Sequence, residues 1–295
     1  MIDVDTALSD DFPLVAADWL ARAVEVVVPN LWEAALAQMP FTDPEEWNSW
    51  HGAPRTPWGE VHVWNPGRGL METRPLSPHS LQWMAGELTG HPVEAHVLLH
   101  ILGEGGVPAE SGGEVIRAAL TADEDEPRHA QLQVMSSLSP SWEGDLAASS
   151  HRWADFVHGI ALRVDPTFGH LCDDSVNWKE TGRDTAGGRR GVRRSIRLGR
   201  EILRGYSWVT IVPRELASIL GGANALTASG AFYRVDELPS GAVWLQTAET
   251  ITGYDDAVMT RVFETLAPVL PKGEPRRNPG LRTQPRLVWR DAASV

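Results

Sequence analysis

Apolar residues recur at helical spacing from Ala16 to Gln38, with Trp19, Leu20, Ala23 and Val27 followed by Leu31, Ala34 and Ala35. Pro29 divides this stretch, because its ring removes a backbone donor and collides with the preceding turn. Residues 40–58 are rich in proline and tryptophan and read as a loop. Glu60–Trp64 then alternates polar and apolar side chains, the signature of a half-buried strand, before a Pro66-Gly67 turn. Val93–Leu102 and Ala130–Leu138 are short apolar runs between turn residues and predict strands. Between them, Gly112–Leu120 is compatible with a short helix or a strand. Ser149-Ser150 can cap a helix whose apolar positions are Trp153, Phe156, Val157, Ile160 and Ala161. Pro166 stops that helix, and Thr167–Cys172 predicts the next strand.

Residues 179–204 break the pattern: Gly182, Gly187, Gly188 and Gly191 stand among arginines and little is apolar before Ile196, so an exposed loop is expected, turning helical near Ile196–Leu203. A strand (Tyr206–Val212) and a short helix (Arg214–Leu220) ended by Gly221-Gly222 follow. Phe232–Leu238 and Ala242–Thr247 form a hairpin through Pro239-Ser240-Gly241, and Asp255–Leu266 is an amphipathic helix. The succession predicts an α+β protein, mainly antiparallel sheet with helices packed on it. The expected organisation is one domain over 1–271, open to division into lobes 1–148 and 149–271, with a basic Arg/Gly-rich insertion near 179–200. Residues 272–295 read as a basic C-terminal tail, in which Leu287-Val288-Trp289 has the character of a docking segment.

Composition narrows the function. Of 295 residues 42% are apolar and 22% charged, enough to bury a core. The net charge of −13 is unevenly spread: residues 1–178 hold 8 basic and 27 acidic side chains, whereas 179–204 hold 9 and 3. Such a field repels phosphate backbones and argues against direct nucleic-acid binding, while it suits a basic protein partner. No run approaches the ~20 apolar residues of a bilayer span, and the acidic start Met1–Asp5 lacks the basic region of a secretion signal. A cytoplasmic protein without membrane contact is therefore expected. One cysteine, Cys172, excludes an internal disulfide framework.

Few residues promise chemistry. Glu94, His96 and His100 share a strand face, yet positions i and i+4 of a strand lie ~13 Å apart, too far to share a metal. Gly103–Gly113 lacks the lysine and hydroxyl of a phosphate loop, and no G-x-S-x-G elbow occurs. Cys172, in an apolar strand, reads as a core residue. The expectation is a chain with no catalytic residues, no metal and no cofactor. Of the thirteen tryptophans, Trp47, Trp50, Trp58 and Trp64 cluster, either pinning the long loop to the core or forming a contact surface. The acidic runs Asp123, Glu124, Asp125, Glu126 and Asp173, Asp174 are the candidate partner-binding residues. The arginines of 183–204 are read as an intramolecular brace against the acidic first half, as a contact for nucleic acid or an acidic partner, or as a solvated insertion.

The phrases RGYSWVTIVPRELASILGG (204–222), LTASGAFYRVDELPSGAVWLQTAET (226–250) and VFETLAPVLP (262–271) resemble the bacterial type VI immunity family, and HRWADFVHGIALRVDPTFGHL (151–171) resembles the lead into them. Members of that family neutralise nuclease-type toxins delivered between cells. The resemblance covers about 151–271, rests on structural phrases that assign no role to single residues, and leaves Arg189–Arg204 and the tail as additions. It implies a non-enzymatic immunity or antitoxin-like protein that binds a cognate, basic toxin. The alternatives are a scaffold or adaptor in a larger assembly, and a metal-dependent hydrolase built on the histidines and aspartates of the first half.

Overall fold

The computed structural model describes residues 1–37, 53–65, 67–90, 94–107, 114–122, 129–137, 145–173, 181–187, 192–279 and 284–295. The chain is α+β and divides into two compact units, one of residues 8–145 and one of residues 1–7 with 146–295. Within each, the strands pair antiparallel. The first strand, β1 (Ile2–Ala7), belongs to the second unit, so the N-terminal residues leave the lobe in which their sequence position puts them.

The unit of residues 8–145 begins with α1 (Phe12–Val27) and α2 (Pro29–Ala37), separated where Pro29 requires it. Then come β2 (Pro57–Asn65), β3 (Leu70–Pro75), α3 (Pro78–Leu88), β4 (Glu94–Ile101), β5 (Glu114–Ala122) and β6 (His129–Ser136). The sheet order is β3-β2-β4-β5-β6. Of Gly112–Leu120, undecided in the sequence, the described residues 114–120 are strand, pairing with β4 and burying Ile116, Ala118, Ala119 and Leu120. Helix α1 buries Val15, Trp19, Leu20, Ala23 and Val24 against β4, β5 and β6, and the Trp19 indole donates to the Gln133 carbonyl at 3.4 Å. The sequence reading is silent on α3, whose start is fixed by a reciprocal Ser77–Ser80 capping box and by Pro78 in its first turn. Trp58, expected in a loop, is a fully buried residue of β2. Trp47 and Trp50 lie outside the described residues.

The second unit continues with α4 (Leu146–Ala161), β7 (Asp165–Leu171), α5 (Gly182–Gly187), α6 (Val192–Arg197), β8 (Val209–Val212), α7 (Arg214–Ile219), α8 (Gly222–Ala228), β9 (Arg234–Glu237), β10 (Val243–Gln246) and α9 (Asp256–Leu266). Its strands are ordered β1-β7-β8-β10-β9. Ser149 and Ser150 sit inside α4 and not at its cap: Ser150 donates back to the Leu146 carbonyl at 2.6 Å and accepts from the Ile251 amide at 3.3 Å. Gly169 is required by packing, since a Cβ there would lie 2.7 Å from Ile211 Cδ1 of the neighbouring strand. The β9–β10 hairpin turns at Gly241, whose φ of 81° suits glycine.

The Arg/Gly-rich segment differs from the exposed loop that its composition suggests. Where described, it forms α5 and α6 and buries Thr181, Arg183, Ser195 and Arg204. The reason is charge: β1 points Asp3 and Asp5 to one face, opposite His170 and Phe168 of β7, and the buried Arg204 guanidinium is their counter-ion. Of the readings of these arginines, Arg204 fits the intramolecular brace. The C-terminal residues also join the body. Leu287 and Ala292 are buried, Val288 donates its amide to the Tyr206 hydroxyl at 3.0 Å, and Arg290 pairs with Glu264 at 2.8 Å.

Candidate functional site

Of the six acids singled out by the sequence, Asp123, Glu124, Asp125, Glu126 and Asp174 lie outside the described residues. Asp173 stands two residues beyond the end of β7, with its side chain 41% exposed. It lines an open groove of about 620 Å³ with Thr252, Tyr254, Asp255, Asp256 and Arg286. Three chain segments converge there: the exit of β7, the 3-10 turn Ile251–Gly253 leading into α9, and the C-terminal segment.

The carboxylates differ in duty. Asp255 is the N-cap of α9 and accepts the Val258 amide at 2.8 Å, satisfying one of the helix's orphan donors. Asp256, in the first helical turn where the dipole favours negative charge, keeps its side chain 91% exposed. Arg286 Nη1 lies 3.5 Å from Asp173, and its Nη2 lies 3.9 Å from Asp256 and donates to the Tyr254 carbonyl at 2.7 Å. The same guanidinium lies 5.6 Å from the Tyr254 ring centroid, within cation–π range. Burial raises the Tyr254 phenol well above its ordinary pKa, so it stays protonated. The groove thus has three carboxylates, one of them fully available to solvent, around a cation supplied by the chain itself.

The sequence did not single out Tyr254, Asp255, Asp256 or Arg286. Asp255-Asp256 was visible only as the start of a helix, and Arg286 only as part of a basic tail. The convergence of residues 30 to 113 positions apart leaves no periodic signature.

The other cluster lies in the unit of residues 8–145. Glu60 on β2 is buried and its carboxylate bridges two imidazoles, His62 Nε2 at 2.7 Å and His100 Nε2 at 3.2 Å. Thr73 Oγ1 lies 3.3 Å from His62 Nδ1. Burial opposes the charge on Glu60, but hydrogen bonds from His100 and His62 outweigh it and hold the carboxyl below its ordinary value. His96 goes elsewhere, to Glu94 at 2.8 Å. The predicted trio Glu94, His96 and His100 therefore serves two different carboxylates. Among the described residues, no group of three or more His, Cys, Asp or Glu is placed to hold a metal ion. Cys172, read as a core residue, is half-buried, and its carbonyl accepts the N-terminal ammonium at 2.7 Å.

No protein-family model matches the chain, and no curated protein matches it. Among solved structures, one described as a Pseudomonas aeruginosa T6SS protein shares the fold. The match has a TM-score of 0.53 and 12% sequence identity, and covers 99% of this chain and 79% of that one. The likeness is one of fold. Among the described residues no helix is long and apolar enough to cross a membrane.

Proposed function

We propose that this protein acts in a type VI secretion setting as a non-enzymatic, immunity-like binder, which neutralises a basic protein toxin through its acidic surface. The observation that carries this reading is the groove at Asp173, where half-exposed and exposed carboxylates surround a guanidinium. The fold likeness to a T6SS protein supports the setting. The net charge of −13 supports capture of a basic partner, since complementary fields accelerate encounter.

The test is to coexpress the chain with the toxic product of the adjacent gene and to follow growth and complex formation. The proposal expects rescue, a stable complex, and loss of both in Asp173→Lys/Asp256→Lys. Complex formation with a non-toxic neighbour, and no rescue, would point to the scaffold or adaptor reading instead.

A further inference from the structure

The chain's own C-terminal segment shows what kind of ligand the Asp173 groove accepts. Residues 286–290, Arg-Leu-Val-Trp-Arg, dock on the second unit as a short peptide would. Arg286 lies along the groove wall, held by the Tyr254 carbonyl and near Asp173 and Asp256. Leu287 is buried, only 5% exposed. The Val288 amide donates to the Tyr206 hydroxyl. Arg290 pairs with Glu264 and lies 5.2 Å from the Phe263 ring centroid. Two cations four residues apart each meet a carboxylate and an aromatic ring, with an apolar anchor and a main-chain bond between them.

These contacts are those of peptide recognition: a main-chain bond fixes the backbone, and side-chain sites select sequence. The charged contacts among them are light. Both arginine pairs are partly exposed, at 38% and 45% for the arginine side chains, and exposed ion pairs contribute little each. The groove beside Arg286 remains open to about 620 Å³. We infer that this surface is a binding site for a basic-apolar peptide of the form Arg-apolar-x-x-Arg, and that the segment Arg286–Arg290 is its built-in, exchangeable occupant. The inference deepens the proposed function, and rests on it only in taking the competing peptide in the cell to be a basic segment of the partner. Binding then proceeds by exchange, in which an incoming arginine takes the place of Arg286 at Asp173, Asp256 and Tyr254.

The experiment needs no identified partner. A fluorescent synthetic peptide of residues 284–295 is titrated into the full chain and into the full-length Arg286→Ala/Leu287→Ser/Arg290→Ala variant, with circular dichroism and gel filtration confirming that the variant stays folded. Fluorescence anisotropy is expected to show at least tenfold tighter binding to the variant, whose own segment no longer competes. Adding Asp173→Asn, Asp256→Asn and Glu264→Gln to that variant is expected to weaken binding at least tenfold. Equal affinity for both chains, no binding to the variant, or indifference to the acid substitutions would overturn the inference. Because the peptide belongs to this chain, such failure is separable from a failure of the toxin-binding reading, which is scored by growth rescue.

Discussion

Arg204 is fully buried beside Asp3, Asp5 and Asp184, with its Nε 3.0 Å from Asp184 and its guanidinium 5.1 Å from the Phe168 ring centroid. Burial penalises its charge, but the carboxylates more than compensate and hold its pKa above the ordinary arginine value. Removing one member of a buried ionic cluster strands the others, at a cost of ~3–5 kcal/mol. Arg204→Met is therefore expected to lose about that much stability in urea unfolding. Arg200→Met, which breaks partly exposed pairs to Asp165 and Glu215, should lose no more than ~1 kcal/mol. His170 shares this interior, and burial, then the Arg204 charge, press its pKa from 6.5 to about 3. Its neutral form is native, so its contribution is complete above pH 6.5. Between there and about 3 the unfolded chain takes up a proton that the folded chain refuses, and stability falls by ~1.4 kcal/mol per pH unit. His170→Asn should flatten this acid limb in pH-dependent denaturation curves, and an unchanged limb would show that other groups set it.

At the scale of elements, Glu60 and its two histidines tie β2 to β4 through side chains as well as through the ladder. The lowered carboxyl pKa gives the sign: the stabilisation is present above the ordinary value of 4.5 and disappears as pH falls below it. Glu60→Gln should accordingly unfold at lower urea concentration at pH 7, by ~1–3 kcal/mol for a buried charge-assisted bond. The gap between variant and parent should narrow as pH falls below 4.5, and a constant gap through the acid range would refute the assignment. Helix α3 depends on a local device, the Ser77–Ser80 box, and Ser77→Ala should cost about 1 kcal/mol by calorimetry or urea titration.

At the scale of the whole molecule, the charge of −13 should govern how fast a basic partner arrives. Stopped-flow association is expected to slow steeply with added salt, and roughly tenfold at low salt on reversing Asp173 and Asp256 to lysine. A rate indifferent to both would remove electrostatics from the proposed function. On the exchange proposed above, the docked C-terminal segment adds a second control on the same surface, because Arg286 competes with a partner's cation for Asp173 and Asp256.

Local patterns in the sequence determined most elements: the Pro29 break between α1 and α2, the alternation in β2, the apolar run of β4, the Gly241 hairpin, and α9 with its apolar face. Each is written in near neighbours, so period and punctuation suffice. The strand β1 was missed because Met1–Asp5 reads as an acidic chain start, its aspartates looking like surface charges until Arg204 is placed beside them. The same holds for the Arg/Gly-rich segment, whose composition reads as solvated. Tertiary structure alone decided which arginine is buried, which carboxylates Glu60-type histidines choose, and that Asp173, Asp256 and Arg286 meet. Those outcomes depend on Coulomb partners brought together across 30 to 201 positions of chain, and a charge carries no mark of its distant counter-ion.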